Sequence, residues 1–106
     1  MQLIISGYTG KAIESKNIAR HDGSGSFEIA ESSLAVKNAN DTPPDWYKLK
    51  FRGDRLLKAA SYIAKGVLLS VVGNLTFEDW TDADGNRKSR PVLTVTEIQL
   101  PPKFEG

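Results

Sequence analysis

Residues 46–52, with the sequence WYKLKFR, alternate between two kinds of side chain. In a β-strand, successive side chains point to opposite faces of the sheet. One face then carries Trp46, Lys48, Lys50 and Arg52, and the other carries Tyr47, Leu49 and Phe51. The second face requires a hydrophobic core. The first combines an aromatic plane with three cations, which suits a ligand that has flat rings and a negatively charged backbone.

A second group of the same types follows 28 residues further on, around the turn signal Asp84-Gly85. Aromatic rings stack on bases, and Lys and Arg neutralise phosphates. We therefore expect the nucleic-acid-binding residues to be Trp46, Lys48, Lys50, Arg52, Trp80, Arg87, Lys88 and Arg90. Structural alternatives remain open: either Trp could be a packing residue, the cations of 48–52 could keep an edge strand soluble, and the basic arm 87–90 could be a solvated loop.

No motif in the chain indicates catalysis. The sequence has no cysteine, and its one histidine, His21, lies in a polar loop without a ligand-spaced partner. Gly10-Lys11 lacks the remainder of a phosphate-binding loop, and Asp84-Gly85 lacks the remainder of a calcium loop. We expect a binding protein that is not an enzyme, with no cofactor and no metal site.

Length and composition predict a single folded domain. The chain has 106 residues and a net charge of +1, so attraction to a polyanion must come from a local patch. No apolar run of 18 residues and no signal-peptide pattern are present, which favours a soluble cytoplasmic protein. We assign residues 1–102 to one domain and 103–106 to a short C-terminal remnant.

Alternation and turn residues place the strands that must position these side chains. We predict strands over Met1–Ser6 and Phe27–Lys37, the second with Phe27 and Ile29 facing inward and a β-bulge at Glu31–Ser33, where the alternation changes phase. Segment 11–20 has some strand character. Residues 38–45 (NANDTPPD) are loop formers, and a third strand covers 46–52.

A helix and two further strands complete the predicted fold. Asp54 is the expected N-cap of a helix over Arg55–Lys65, which Gly66 ends. Val67–Trp80 begins with an apolar run typical of a strand buried on both faces, and Gly73 permits a bend at a barrel corner. Val92–Leu100 is the last strand. The order predicts an all-β five-stranded Greek-key barrel, the OB-fold, with one short helix between strands three and four.

The same residues carry a family resemblance. From Trp46 to Leu100 the chain resembles, without a gap, the bacterial single-stranded DNA-binding proteins (the SSB family). The matching motifs are Trp46-Tyr47-Lys48, Gly53, the 55–66 helix with its Lys65-Gly66 end, Val71–Gly73, Leu75, Trp80-Thr81-Asp82, Asp84-Gly85 and Glu97–Leu100. The first 45 residues resemble the family less closely.

The resemblance implies that Trp46 and Trp80 occupy base-stacking positions. Three departures concern the site. Arg52 stands where the family has a stacking Phe, and loop 38–45 has no aromatic residue although members often have a Trp near there. Four positions that are often basic in the family hold Asn74, Thr76, Glu78 and Asp79. A guanidinium can also stack on a base, so Arg52 could replace the ring. The acidic residues leave a second interpretation open, an OB-fold accessory replication or primosome factor that acts mainly through protein contacts.

The resemblance also implies partners. It predicts protection of single-stranded DNA during replication, recombination and repair by a homo-oligomer, most simply a tetramer, in which Met1–Ser6 joins an intermolecular sheet. No membrane partner is expected. Members usually end in an acidic tail that recruits repair proteins, whereas this sequence ends at Phe104-Glu105-Gly106. We therefore expect no tail-mediated recruitment from this chain.

Overall fold

The computed structural model describes residues 1–37 and 42–99. Across these residues the chain forms six strands and one helix: β1 Gln2–Thr9, β2 Glu14–Ala19, β3 Ser26–Val36, β4 Asp45–Arg52, α1 Asp54–Ala60, β5 Leu68–Thr81 and β6 Arg87–Gln99. Position 100, the last of the predicted final strand, and the domain boundary at 102 lie outside the described residues, as does the first half of the predicted loop 38–45.

Five of the strands close into a ring, because β1 pairs with both β5 and β3 in the sheet order β1-β5-β6-β4-β3-β2. Only β4 and β6 pair in parallel; the other pairings are antiparallel. The helix α1 lies between the third and fourth strands of the ring. The predicted OB-fold is therefore confirmed, and β2, outside the ring, extends the sheet by a hairpin with β3.

The core fills the inside of the ring. Leu49 and Phe51 of β4 are fully buried and lie opposite Ser32 and Ala30 of β3. The remaining core residues come from β3, α1, the turn after it, β5 and β6: Leu34, Leu56, Ala60, Ile63, Leu69, Val71, Leu93 and Val95. This arrangement confirms Leu49 and Phe51 as core residues and places the cations of segment 46–52 on the outside. Tyr47, the third residue predicted on the inner face, is half-buried and lies outside the core cluster.

The predicted bulge in β3 is wrong. From Ile29 to Val36, β3 keeps one register with β4, and Ile29 lies opposite Arg52. Phe27 and Ile29 therefore lie on the outer face, with the cations, and outside the core cluster. Ile29 is nevertheless buried, at 7% exposed. The apparent change of phase arises because both faces of β3 are buried in its middle part: Ile29 and Glu31 on the outer face, Ala30 and Ser32 on the inner face.

The helix is shorter than predicted. It spans Asp54–Ala60, its N-cap is Gly53 with no side-chain cap, and Asp54 lies in the first turn. The Ser61 hydroxyl donates to the carbonyl of Lys58 at 2.6 Å, a local bond that competes with helix continuation. Gly66, with a φ of 79°, does not end the helix but precedes β5, and its N–H donates to the carbonyl of Thr9.

The start of β5 is buried on one face, whereas the sequence predicts burial on both faces. Leu69 and Val71 are buried, whereas Leu68 is exposed. The register with β6 shifts between Val72 and Gly73, at the glycine where a bend is predicted. A Cβ on Gly73 would lie 2.4 Å from the backbone oxygen of Thr94, so this close approach requires glycine.

Candidate nucleic-acid interface

Register brings most of the predicted binding residues to one continuous outer face. Lys48 and Lys50 of β4 lie beside Val92 and Thr94 of β6. Further along, Arg90 of β6 lies opposite Glu78 of β5, and Lys88 lies opposite Trp80. Because side chains of paired residues share a face, seven of the eight predicted residues lie together. Arg87, opposite Thr81, is one residue out of phase and lies on the other face of the β5–β6 ribbon.

Trp46 is accessible and held in place. Its side chain is 52% exposed. A Cβ added to Gly10 would lie 2.3 Å from the Trp46 ring and 2.8 Å from the Ser33 hydroxyl, so the ring rests directly on the backbone that follows β1. The sequence does not predict this contact, since Gly10 and Trp46 are far apart in the chain. It leaves one side of the indole free to stack on a base.

Trp80, 41% exposed, lies on the β5–β6 ribbon. The guanidinium carbon of Arg90 lies 4.8 Å from the centroid of its ring, which is cation–π geometry. At the end of the ribbon, the Asp82 carboxylate accepts the N–H groups of Asp84 and Asn86, both at 2.9 Å. The predicted turn thus orders the arm on which Trp80 and Arg90 project.

Several cations of this face are paired with carboxylates. Lys48 contacts Glu31 at 3.0 Å and Glu78 at 3.4 Å, and Arg90 contacts Glu78 at 3.8 Å. Lys88 lies 3.9 Å from Asp82. The sequence shows the acidic residues of β5 but not their partners. Glu78 therefore lowers the positive charge available to a phosphate at two of the predicted binding residues.

Glu31 is a buried carboxylate within this face, 3% exposed. It contacts Lys16 of β2 at 2.5 Å and Lys48 of β4 at 3.0 Å. Burial by itself raises the pKa of Glu31, but hydrogen bonds from Lys16 and Lys48 outweigh it, so the pKa lies below its usual value. The hydrogen bond from Lys16 likewise raises the pKa of that lysine. Glu31 thereby joins three strands and fixes the position of Lys48.

Acid should remove this stabilisation. Because the folded-state pKa of Glu31 is lowered, its contribution is present above the unfolded-state pKa of about 4.3 and is lost as the pH falls through the folded-state pKa. We expect Glu31→Gln to lower the free energy of unfolding by about 1–2 kcal/mol at pH 7, a moderate loss because Lys16 is half exposed. The stability of the variant should also fall less steeply as the pH is lowered. Urea denaturation from pH 7 to pH 3 measures both effects. The control is Glu14→Gln, an exposed carboxylate on β2; an equally steep acid limb in Glu31→Gln would contradict this role.

Removing the charge of Glu78 should strengthen binding of a polyanion. Glu78→Gln frees Arg90 and leaves Lys48 paired with Glu31 alone. The dependence of log affinity on log salt should therefore steepen by about 0.7, the value for one released cation. The measurement is a salt series of single-strand titrations. Asp79→Asn makes the same charge change one residue away, on the other face of the ribbon. Equal slopes for the two variants would show that the pairing of Glu78 has no effect on binding.

Two residues near Arg52 belong to the same face and were not predicted as binding residues. The guanidinium carbons of Arg20 and Arg52 lie 5.2 Å and 4.9 Å from the centroid of the Phe27 ring. Phe27 was assigned to the core from the alternation of 27–36. The pairing of Ile29 with Arg52, which sets the true phase, is visible only in the structure.

The described residues contain no group of three or more His, Asp or Glu side chains placed to hold a metal ion. In residues 1–37 and 42–99 no helix has the length and hydropathy needed to cross a bilayer.

Comparison with known proteins agrees with this geometry. The sequence model of the Single-strand binding protein family matches residues 1–101. A single-stranded DNA-binding protein 1 from Synechocystis sp. is 38% identical over 76 residues, covering 68% of this chain and 63% of that protein. A single-stranded DNA-binding protein from Thermosynechococcus vestitus is 32% identical over 82 residues, covering 76% and 68%. The chain thus spans less than two thirds of the length of the Synechocystis relative.

Solved structures share the fold at low identity. A mitochondrial single-stranded DNA binding protein from S. cerevisiae superposes with a TM-score of 0.73 and 18% identity, covering 94% of this chain and 93% of that chain. A small single-stranded DNA-binding protein from Streptomyces coelicolor gives 0.73 and 13%, covering 95% and 94%. The fold, the outer face with its two tryptophans and the match over residues 1–101 lead to one conclusion: this chain belongs to the single-strand binding protein family.

Proposed function

We propose that this protein binds and protects single-stranded DNA with little sequence preference, and that it is not an enzyme. The observation that carries the proposal is the position of Trp46 and Trp80, both about half exposed on one face that also holds the cations of β4 and β6. Aromatic rings stack on any base, and Lys and Arg contact the backbone, so neither requires a particular sequence. The family membership and the names of the relatives support the same function.

Each predicted residue has a proposed role. Trp46 and Trp80 stack on bases, while Lys50 and Arg52 contact phosphates directly. Lys48, Lys88 and Arg90 must exchange a carboxylate partner for a phosphate, so each contributes less than an unpaired cation. Arg87, on the other face of the ribbon, contacts DNA only where the strand wraps around the arm.

A tryptophan fluorescence titration tests the proposal. Oligo-dT should quench the emission of Trp46 and Trp80 in a saturable way, because a stacked base quenches indole. A duplex of equal length should not, since its bases are already stacked and paired. Equal quenching by both ligands, or by neither, would contradict single-strand binding.

The second candidate, an accessory replication factor that acts mainly through protein contacts, is not favoured. The pairing of Glu78 with Lys48 and Arg90 is the observation in its support. Against it stand the cations that lie on the same face as the two exposed tryptophans, and relatives named as single-stranded DNA-binding proteins.

We also propose a homo-oligomer, most simply a tetramer. The outer face of β1 and the start of β5 expose apolar side chains, among them Ile4 (76% exposed), Tyr8 and Leu68. Tyr8 lies opposite Leu68, so these side chains share a face, and residues 2–6 of β1 pair with β5 on one side only. An exposed apolar patch beside an unpaired strand edge favours self-association.

Light scattering tests the assembly. We expect a mass of several chains at micromolar concentration, and Ile4→Asp should shift the protein towards the monomer because a buried, unpaired carboxylate is costly. Tyr62→Asp is the control, since Tyr62 is equally exposed in the turn after α1. A monomeric parent protein would contradict the proposal.

The cellular role follows from this activity. We propose that the protein acts in the cytoplasm, at the nucleoid, wherever replication, recombination and repair expose single strands.

A further inference from the structure

The end of the outer face farthest from Trp46 holds a compact group of one aromatic ring and two guanidinium groups. Phe27 lies on β3, between β2 and β4 in the sheet. Arg52, on β4, and Arg20, immediately after β2, both reach the Phe27 ring, with guanidinium carbons 4.9 Å and 5.2 Å from its centroid. Arg52 belongs to one neighbour of β3 and Arg20 directly follows the other, so the two guanidinium groups approach the Phe27 ring from opposite sides of β3.

These two guanidinium groups have no carboxylate partner among the described residues. The salt bridges of the outer face all involve other cations, including Lys16, Lys48, Lys88 and Arg90. Glu28 and Asp54 line the same shallow cleft, but neither lies within salt-bridge distance of Arg20 or Arg52. Lys50 on β4 likewise has no carboxylate partner in the described part of the chain. At the Phe27 end of this face, Arg20, Lys50 and Arg52 are therefore not engaged in ion pairs within the described residues, and a phosphate can approach them without displacing a carboxylate.

The arginine outside the barrel is held by an ordered turn. The N–H of Arg20 donates to the carbonyl of Gly25 at 2.8 Å, and the N–H of Gly23 donates to the carbonyl of Arg20 at 3.2 Å. The Asp22 carboxylate accepts both the hydroxyl and the N–H of Ser24, and these hydrogen bonds hold the pKa of Asp22 below its usual value. Because the hairpin already restrains Arg20, binding a ligand there costs less conformational entropy.

We propose that Arg20, Phe27 and Arg52 form a second contact site for the bound single strand, beyond the one centred on the two tryptophans. In this site Arg20 and Arg52 bind backbone phosphates, and Phe27 is a positioning residue that holds both guanidinium planes. Arginine suits this task because its planar fork can pair with a phosphate in bidentate fashion while its face rests on an aromatic ring. The inference rests on the proposed function and extends the binding path onto the β2–β3 hairpin.

The position of the site implies a dependence on strand length. Arg52 lies six positions after Trp46 on β4, which at about 3.4 Å per residue is about 20 Å. A short oligonucleotide stacked on the tryptophans does not reach Phe27, whereas a longer one does. Contacts at the second site should therefore contribute only for strands near the upper end of the range of about 4–16 nucleotides that one OB-fold covers.

Affinity measurements with short and long oligo-dT, of about 4 and about 14 nucleotides, test the proposal. Arg20→Gln should weaken binding of the long strand about tenfold, the loss expected for one charged hydrogen-bonding contact, and reduce the salt slope by about 0.7. Phe27→Leu should weaken binding of the long strand by a similar factor and reduce the salt slope. Phe27→Tyr, which keeps an aromatic ring, should have the affinity and the salt slope of the parent protein. None of these variants should change the binding of the short strand. Lys58→Gln, an exposed cation on α1, is the matched control.

The outcomes separate the two proposals. If the parent protein binds oligo-dT and Trp46→Ala weakens it, while Arg20→Gln keeps the parent affinity and salt slope for the long strand, the second site is wrong and the proposed function stands. If the parent protein does not bind oligo-dT at all, both are wrong. Should Phe27→Leu fail to fold, Arg20→Gln decides alone, because its side chain lies on the surface of the hairpin.

Discussion

Replacing Leu49 with alanine is expected to lower the free energy of unfolding by about 2–5 kcal/mol, the range for truncating a core leucine. Leu49 has no exposed surface, and its β4 position lies opposite Ser32 and beside Leu93. Small partners such as Ser32 cannot fill the space that the missing atoms leave. Urea denaturation at pH 7 measures the loss, and a titration with oligo-dT under folding conditions should show little change in affinity.

The neighbouring residue provides the control. Lys50, on the opposite face of the same strand, has no carboxylate partner in the described part of the chain. Lys50→Ala should leave the unfolding curve nearly unchanged and weaken strand binding instead. If Leu49→Ala were as stable as the parent protein, or Lys50→Ala strongly destabilised, the assignment of the two faces of β4 would be wrong.

Trp46→Ala should weaken single-strand binding by about 1–3 kcal/mol, the usual contribution of one aromatic–base stack. The fold should remain nearly intact, because about half of the side chain already faces solvent and the ring contacts Gly10 at the end of the barrel. Fluorescence anisotropy with a labelled oligo-dT measures the affinity, and a melting curve checks the fold.

An aromatic residue outside the face is the matched comparison. Tyr62 lies in the turn after α1 and is highly exposed, so Tyr62→Ala removes an exposed ring without touching the proposed path. Its affinity should equal that of the parent protein. A low melting temperature for Trp46→Ala together with normal binding when folded would identify Trp46 as a packing residue and remove the main support of the proposed function.

The amino-acid sequence by itself determined the elements that depend on local chemistry. The alternation of 46–52 assigns Leu49 and Phe51 to the core and Trp46 to the surface, since the two-residue period of a strand requires no knowledge of its neighbours. Asp84-Gly85 predicts its turn for the same reason, through the backbone conformation that glycine permits. The order of the strands and the helix was then sufficient to predict the OB-fold.

Tertiary structure decided which side chains meet. In β3, both faces are partly covered, so the apolar pattern of 27–36 could not reveal that Phe27 lies outside with Arg52. Nor could sequence show that Glu31 and Glu78 pair with Lys48, or that Gly10 supports Trp46. These contacts join residues far apart in the chain, and strand register, which is set by packing across the whole sheet, brings them together. Local periodicity determines the face of a side chain, but only register determines its partners.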